Sequence, residues 1–110
     1  MIVCRLRLLV SETDRGRVIT SLTPLIGWTR VQLGCRACHL LTDLEEPRAL
    51  VLWEEWDTRE HLDRHLRSED YRRVLAAIEL SQGPPEIRFD TVEAAGGIEI
   101  VEAARLSRTQ

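Results

Sequence analysis

The chain has 110 residues, 15 basic against 18 acidic side chains, and a net charge of −3. That length supports one domain with one core, and 44% hydrophobic residues suffice to fill it, which excludes global disorder. Every basic residue is Arg, so Schiff-base chemistry and a Walker phosphate loop are excluded, and the acidic balance argues against a nucleic-acid partner.

The N-terminal stretch MIVCRLRLLV alternates. Ile2, Cys4, Leu6, Leu8 and Val10 share one face and Arg5 and Arg7 the other, which predicts a half-buried strand. The arginines and the lack of a small-residue cleavage site argue against a signal peptide. Three cysteines without an export signal read as reduced thiols in a cytoplasmic protein. No apolar run approaches the ~20 residues of a membrane span, so no membrane partner is expected.

A helix follows, capped by Ser11 or Thr13, with Val18, Leu22, Leu25, Ile26 and Thr29 at helical spacing. Pro24 lies inside that pattern and predicts a kink or a division near Leu22 or Thr23. Gly34 marks a turn. Residues 35–41 and 49–56 read as the second and third strands, joined by TDLEEPR, a segment of hairpin-loop length. Asp57 and Glu60 suggest a capping box for the next helix. Ser68 caps another, striped by Tyr71, Val74, Leu75 and Ile78 and stopped by Gly83, Pro84 and Pro85. EIRFDTV is a fourth strand with Ile87 and Phe89 on one face. Residues 94–110 form an extension, expected as a short helix and a loose tail.

The order β-α-β-β-α-α-β-α predicts an α+β domain of the ferredoxin-like, split βαβ kind spanning residues 1–110. Helices cover one face of its antiparallel sheet, and nothing in the chain remains to cover the other. A homodimer stacking sheet on sheet is the economical solution.

Candidate sites fall on these elements. Cys35 to His39, CRACH, matches the haem c attachment pattern literally. On a strand, however, residues three apart point to opposite faces, which hinders both a haem clamp and a zinc knuckle. Half-buried strand thiols are the expectation there. His61 and His65 share a helix face, but no third metal ligand is evident, so one exposed His and one at the core edge are expected. Alternation puts Glu54, Trp56, Leu50 and Leu52 on one face of the third strand. A carboxylate beside Trp on an apolar face is a candidate for acid–base work, or for an ion pair with Arg. Tyr71 is core or a pocket wall. Arg88 is a solvated side chain or, if it faces a cavity, a holder of an anionic substrate.

Gly34-Cys35 opening a strand, TDLEEPRALVLWEEW leading to Glu54-x-Trp56, DTREHLDRHLRSEDY carrying His65, and PPEIRFDTV followed by GGIEIVEAAR occur in order. Together they resemble the antibiotic-biosynthesis-monooxygenase domain, specifically its small quinol-monooxygenase-like members. The resemblance implies a dimeric α+β barrel with a pocket between each sheet and its helices. It implies oxygenation of a small aromatic hydroquinone or polyphenol by O₂ with no cofactor and no metal. The substrate supplies the electrons, and the protein deprotonates, orients and desolvates it. On this resemblance His65 is the base or hydrogen-bond partner of the phenol, Trp56 a pocket wall, Glu54 the accompanying acid and Tyr71 the aromatic opening the next helix. Leu52 and Arg88 join Tyr71 as candidate substrate contacts. Some active members use a pocket Asn, and the haem-degrading branch uses one on its first strand. This chain has no Asn, which argues against haem degradation. A catalytically silent dimer binding a small aromatic ligand is the alternative.

Overall fold

The computed structural model describes residues 1–107, and eight elements follow in the expected order. They are β1 (Ile2–Leu9), α1 (Glu12–Arg30), β2 (Cys35–Thr42), β3 (Ala49–Trp56), α2 (Arg59–Leu66), α3 (Arg72–Glu79), β4 (Glu86–Thr91) and α4 (Ile98–Leu106). The sheet order is β2-β3-β1-β4, with every neighbouring pair antiparallel. β1 and β2 therefore run parallel with β3 inserted between them, which is the split βαβ arrangement of a ferredoxin-like fold. Residues 108–110, the end of the expected tail, lie outside the described residues.

The period-two pattern decides which face meets the helices. Ile2, Cys4, Leu6 and Leu8 of β1 are buried, as are Leu50, Leu52, Glu54 and Trp56 of β3. α1 lays Val18, Leu22, Leu25, Ile26 and Thr29 against this face. Ser11 caps α1 by accepting from the Asp14 N–H at 3.1 Å.

Four expectations are corrected. α1 is one continuous helix through Pro24. Pro24 and Thr20 are both exposed, so water can solvate the Thr20 carbonyl that loses its partner, and the buried stripe offsets the cost. The cap of α2 is Thr58, which accepts from the His61 N–H at 3.2 Å, while Asp57 pairs with Arg36. α3 differs at its start and on one face: its N-cap is Tyr71 and not Ser68, Leu75 is 51% exposed, and Val74 and Ala77 carry its buried stripe. Finally, a register shift between Cys35 and Ala37 sets Cys35 opposite Trp56 and Cys38 opposite Glu54. This bulge turns both cysteines toward the helices, which the simple alternation of a regular strand forbids.

β4 is the thinly covered edge. Ile87 and Phe89 point to the helix side yet remain about half exposed. α4 has no buried residue.

Candidate active site

The site forms where β3 meets the α2–α3 corner. Glu54 is 3% exposed, and water therefore contributes little to solvating its carboxylate. Two neighbours replace that solvation. Trp56 Nε1 donates to Glu54 Oε1 at 2.8 Å, and His65 Nε2 lies 3.1 and 3.2 Å from Oε1 and Oε2. Trp56 and Glu54 meet because they are two apart on one strand face. His65 reaches them from the last turn of α2.

His65 is wholly buried, where a place at the core edge was expected. Its ring stacks on Trp56 at 4.8 Å between centroids and meets Tyr71 edge-on at 5.2 Å. Among the described residues, its Nδ1 has no hydrogen-bond partner. The partner at Nε2 therefore assigns the imidazole N–H to that nitrogen, facing the carboxylate. Ser68 fixes the corner by donating to the His65 carbonyl at 2.7 Å and accepting from the Tyr71 N–H at 3.3 Å.

Register sets a row across the sheet on the helix side. Cys38 and Cys4 stand opposite Glu54, and Phe89 stands opposite Cys4. Burial, and next the Glu54 charge, pushes the thiols of Cys4 and Cys38 up to about 12. The same two causes raise the Tyr71 phenol to about 12. One carboxylate thus sits among neutral side chains that hold their protons.

A narrow cleft of about 20 Å³ reaches Glu54. Leu52, Cys4 and Tyr71 line it, closed by Leu62 and Leu66 of α2 and by Ile87 and Phe89 of β4. Such a space admits about one water. His65 and Trp56 do not line it: they hold Glu54 from behind. Of the expected site residues, Glu54, Trp56, His65, Tyr71 and Leu52 come together. Arg88 does not. It alternates to the opposite face of β4, borders the outer groove with Arg5 and Arg7, and donates to both oxygens of Asp90 at 3.0 Å. Cys4, Leu62, Leu66 and Phe89 escaped the sequence reading, because only strand register and helix docking bring them to Glu54.

The arrangement can accept a proton or hydrogen bond at Glu54 and offer the Tyr71 hydroxyl as a donor. Among the described residues, no three His, Cys, Asp or Glu side chains gather to hold a metal ion. None of the described helices is long and apolar enough to cross a membrane.

Comparison with known proteins agrees with this architecture. A solved antibiotic biosynthesis monooxygenase is 22% identical, with a TM-score of 0.77 over 86% of this chain and 100% of its own. A Mycobacterium tuberculosis protein is 24% identical, with a TM-score of 0.78 over 87% and 98%. A conserved Methanosarcina mazei protein is 24% identical, with a TM-score of 0.78 over 84% and 92%. No curated protein matches. The family model for antibiotic biosynthesis monooxygenase matches residues 1–77, well over half of the chain, and the chain belongs to that family.

Proposed function

We propose that the protein is a cofactor-independent monooxygenase acting on a small aromatic hydroquinone or polyphenol. Family membership supports oxygenation as the reaction class. The observation that carries the reading is a single buried carboxylate, Glu54, presented to an apolar cleft and held from behind by Trp56 and His65.

In this reading Glu54 takes the phenolic proton, and His65 and Trp56 keep the carboxyl group aimed through hydrogen bonds. The phenolate then gives electrons to O₂, and a ring carbon–oxygen bond forms. The peroxide O–O bond breaks, one oxygen stays on the ring, and the other leaves as water with two hydrogens from the substrate. The product is a hydroxyquinone. The protein's work is deprotonation, orientation and exclusion of water. A homodimer stacked through the uncovered sheet face belongs to the same proposal.

Oxygen consumption over one-ring and two-ring hydroquinones tests it, each measured against a no-enzyme control because quinols autoxidise. Uptake above control is expected. Glu54→Gln should lower kcat/KM by about 10²–10⁴-fold, the usual worth of a general base. His65→Gln should lose less, because it removes the aim of the base and not the base. Uptake untouched by Glu54→Gln would remove Glu54 from the chemistry. No uptake on any substrate would favour the silent aromatic-binding dimer.

A further inference from the structure

We propose that Phe89 is the gate between Glu54 and an outer recess, and that it sets the size of aromatic ligand admitted. Two hollows lie along the gap between α2 and β4. The inner one is the 20 Å³ space at Glu54. The outer one has about 190 Å³ and is bounded by Ile2, Arg59 and Thr91. The two share Leu62, Leu66 and Phe89, which form the partition between them.

Of these three walls, Phe89 is the one free to move. Leu62 is 1% exposed and sits in the cluster of Ile2, Cys4 and Trp56. Leu66 packs against that same cluster. Phe89 is 48% exposed and stands on an edge strand. A half-exposed ring packed on one side changes rotamer at little cost, on a timescale of nanoseconds. Its cross-strand neighbour is Cys4, and the next residue in the row is Glu54. Swinging Phe89 outward therefore joins the outer recess to the carboxylate. With the ring in, a water reaches Glu54 and an aromatic ring does not.

Ile2, Leu62, Leu66 and Phe89 line the outer recess together with Arg59 and Thr91, and the Arg59 guanidinium is already paired with Asp63 at 2.8 Å. The chemistry that fits is a flat, uncharged aromatic that enters with a phenolic hydroxyl directed at Glu54. That ligand class rests on the oxygenase reading, whereas the gate itself does not.

Cys4 lines the inner space, so its alkylation reads the gate without any turnover. N-ethylmaleimide labelling of Cys4, followed by peptide mass spectrometry, is compared in wild type, Phe89→Ala, Phe89→Leu and Phe89→Trp. A closed form that opens less than about 10% of the time predicts a gain of about tenfold or more in Phe89→Ala. Phe89→Leu should fall between, and Phe89→Trp should be slower than wild type. Cys38, on the far side of Glu54, should label at its wild-type rate throughout. Equal Cys4 rates in all four proteins overturn the gate, and so does a parallel rise at Cys38, which would mean general loosening. Oxygen uptake in the same proteins decides the other question. With uptake, Phe89→Ala should favour two-ring over one-ring hydroquinones relative to wild type. Faster Cys4 labelling with no uptake leaves the gate standing and removes the oxygenase reading.

Discussion

Glu54 has a thiol on either side of it along the sheet, Cys4 on β1 and Cys38 on β2. Both thiols and the Tyr71 phenol keep their protons in the folded chain up to about 12, while the unfolded chain gives up its thiol protons near 9.0 and its phenol proton near 10.0. Between those values the unfolded state binds fewer protons, so stability must fall as pH rises. Each group contributes about 1.4 kcal/mol per pH unit inside its window. The chain has no Lys and one Tyr, and burial, with the Glu54 charge, also raises its third thiol, Cys35, so thiols and one phenol set this slope. Urea midpoints should be level from pH 7 to 8.5 and fall steeply from 9 to 11, and Cys4→Ala with Cys38→Ala should flatten that fall. A midpoint as high at pH 11 as at pH 8 would contradict the burial of these groups. At this scale the sequence was half legible. Alternation put Glu54, Trp56 and Leu52 on one face, but whether Glu54 met an Arg or a His depended on where α2 docked. The bulge at Arg36, which brings Cys38 beside Glu54, has no signature in composition or periodicity.

The turn that leads into β2 and the helix after β3 are locked to each other. Gly34 has φ +88°, and a Cβ placed there would lie 2.3 Å from the His61 ring. Its carbonyl accepts from the Asp57 N–H at 2.8 Å. His61 in turn sits 3.1 Å from the Thr58 hydroxyl that caps α2. Gly34→Ala therefore adds a left-handed residue, costing about 1–2 kcal/mol, to a clash with the helix start. Gly83, at φ +95°, has open space where its Cβ would go, so Gly83→Ala should cost the backbone term alone. Urea denaturation should rank Gly34→Ala below Gly83→Ala by about 1 kcal/mol or more, the worth of a lost helix cap. His61→Ala in the Gly34→Ala background should recover part of the difference, and equal losses at the two glycines would refute the coupling. Gly34 was legible as a turn from its type. Its contact with His61 was not, because that depends on how α2 packs against the sheet. Pro24 shows the opposite failure: a residue that breaks helices by propensity is tolerated where its turn faces water and five buried side chains hold the helix down.

The fold leaves the outer face of the sheet only partly covered. Val3, Val51 and Trp53 are only half-buried there, and Arg5, Arg7 and Arg88 stand among Glu55, Glu86 and Asp90. Arg5 lies directly opposite Arg88, an unfavourable pairing in an isolated sheet. Arg88 shows why such a face resists reading from sequence. Alternation separates it from Ile87 and Phe89, but which side holds the cleft follows from helix placement alone. A two-fold axis through this face would set its basic strip against the acidic residues of a second copy and cover Val51 and Trp53, the self-complementary contact a C2 dimer needs. Light scattering at micromolar concentration should then read about twice the 12.6 kDa of one chain. Val51→Asp places an unpaired carboxylate in the middle of that contact and should give a folded monomer with an unchanged circular dichroism spectrum. A wild-type mass equal to one chain would end the stacked-sheet proposal. Dissociation that leaves the Cys4 labelling rate unchanged would place the gate wholly within one chain, as expected for a cleft on the opposite side of the sheet from the stacked face.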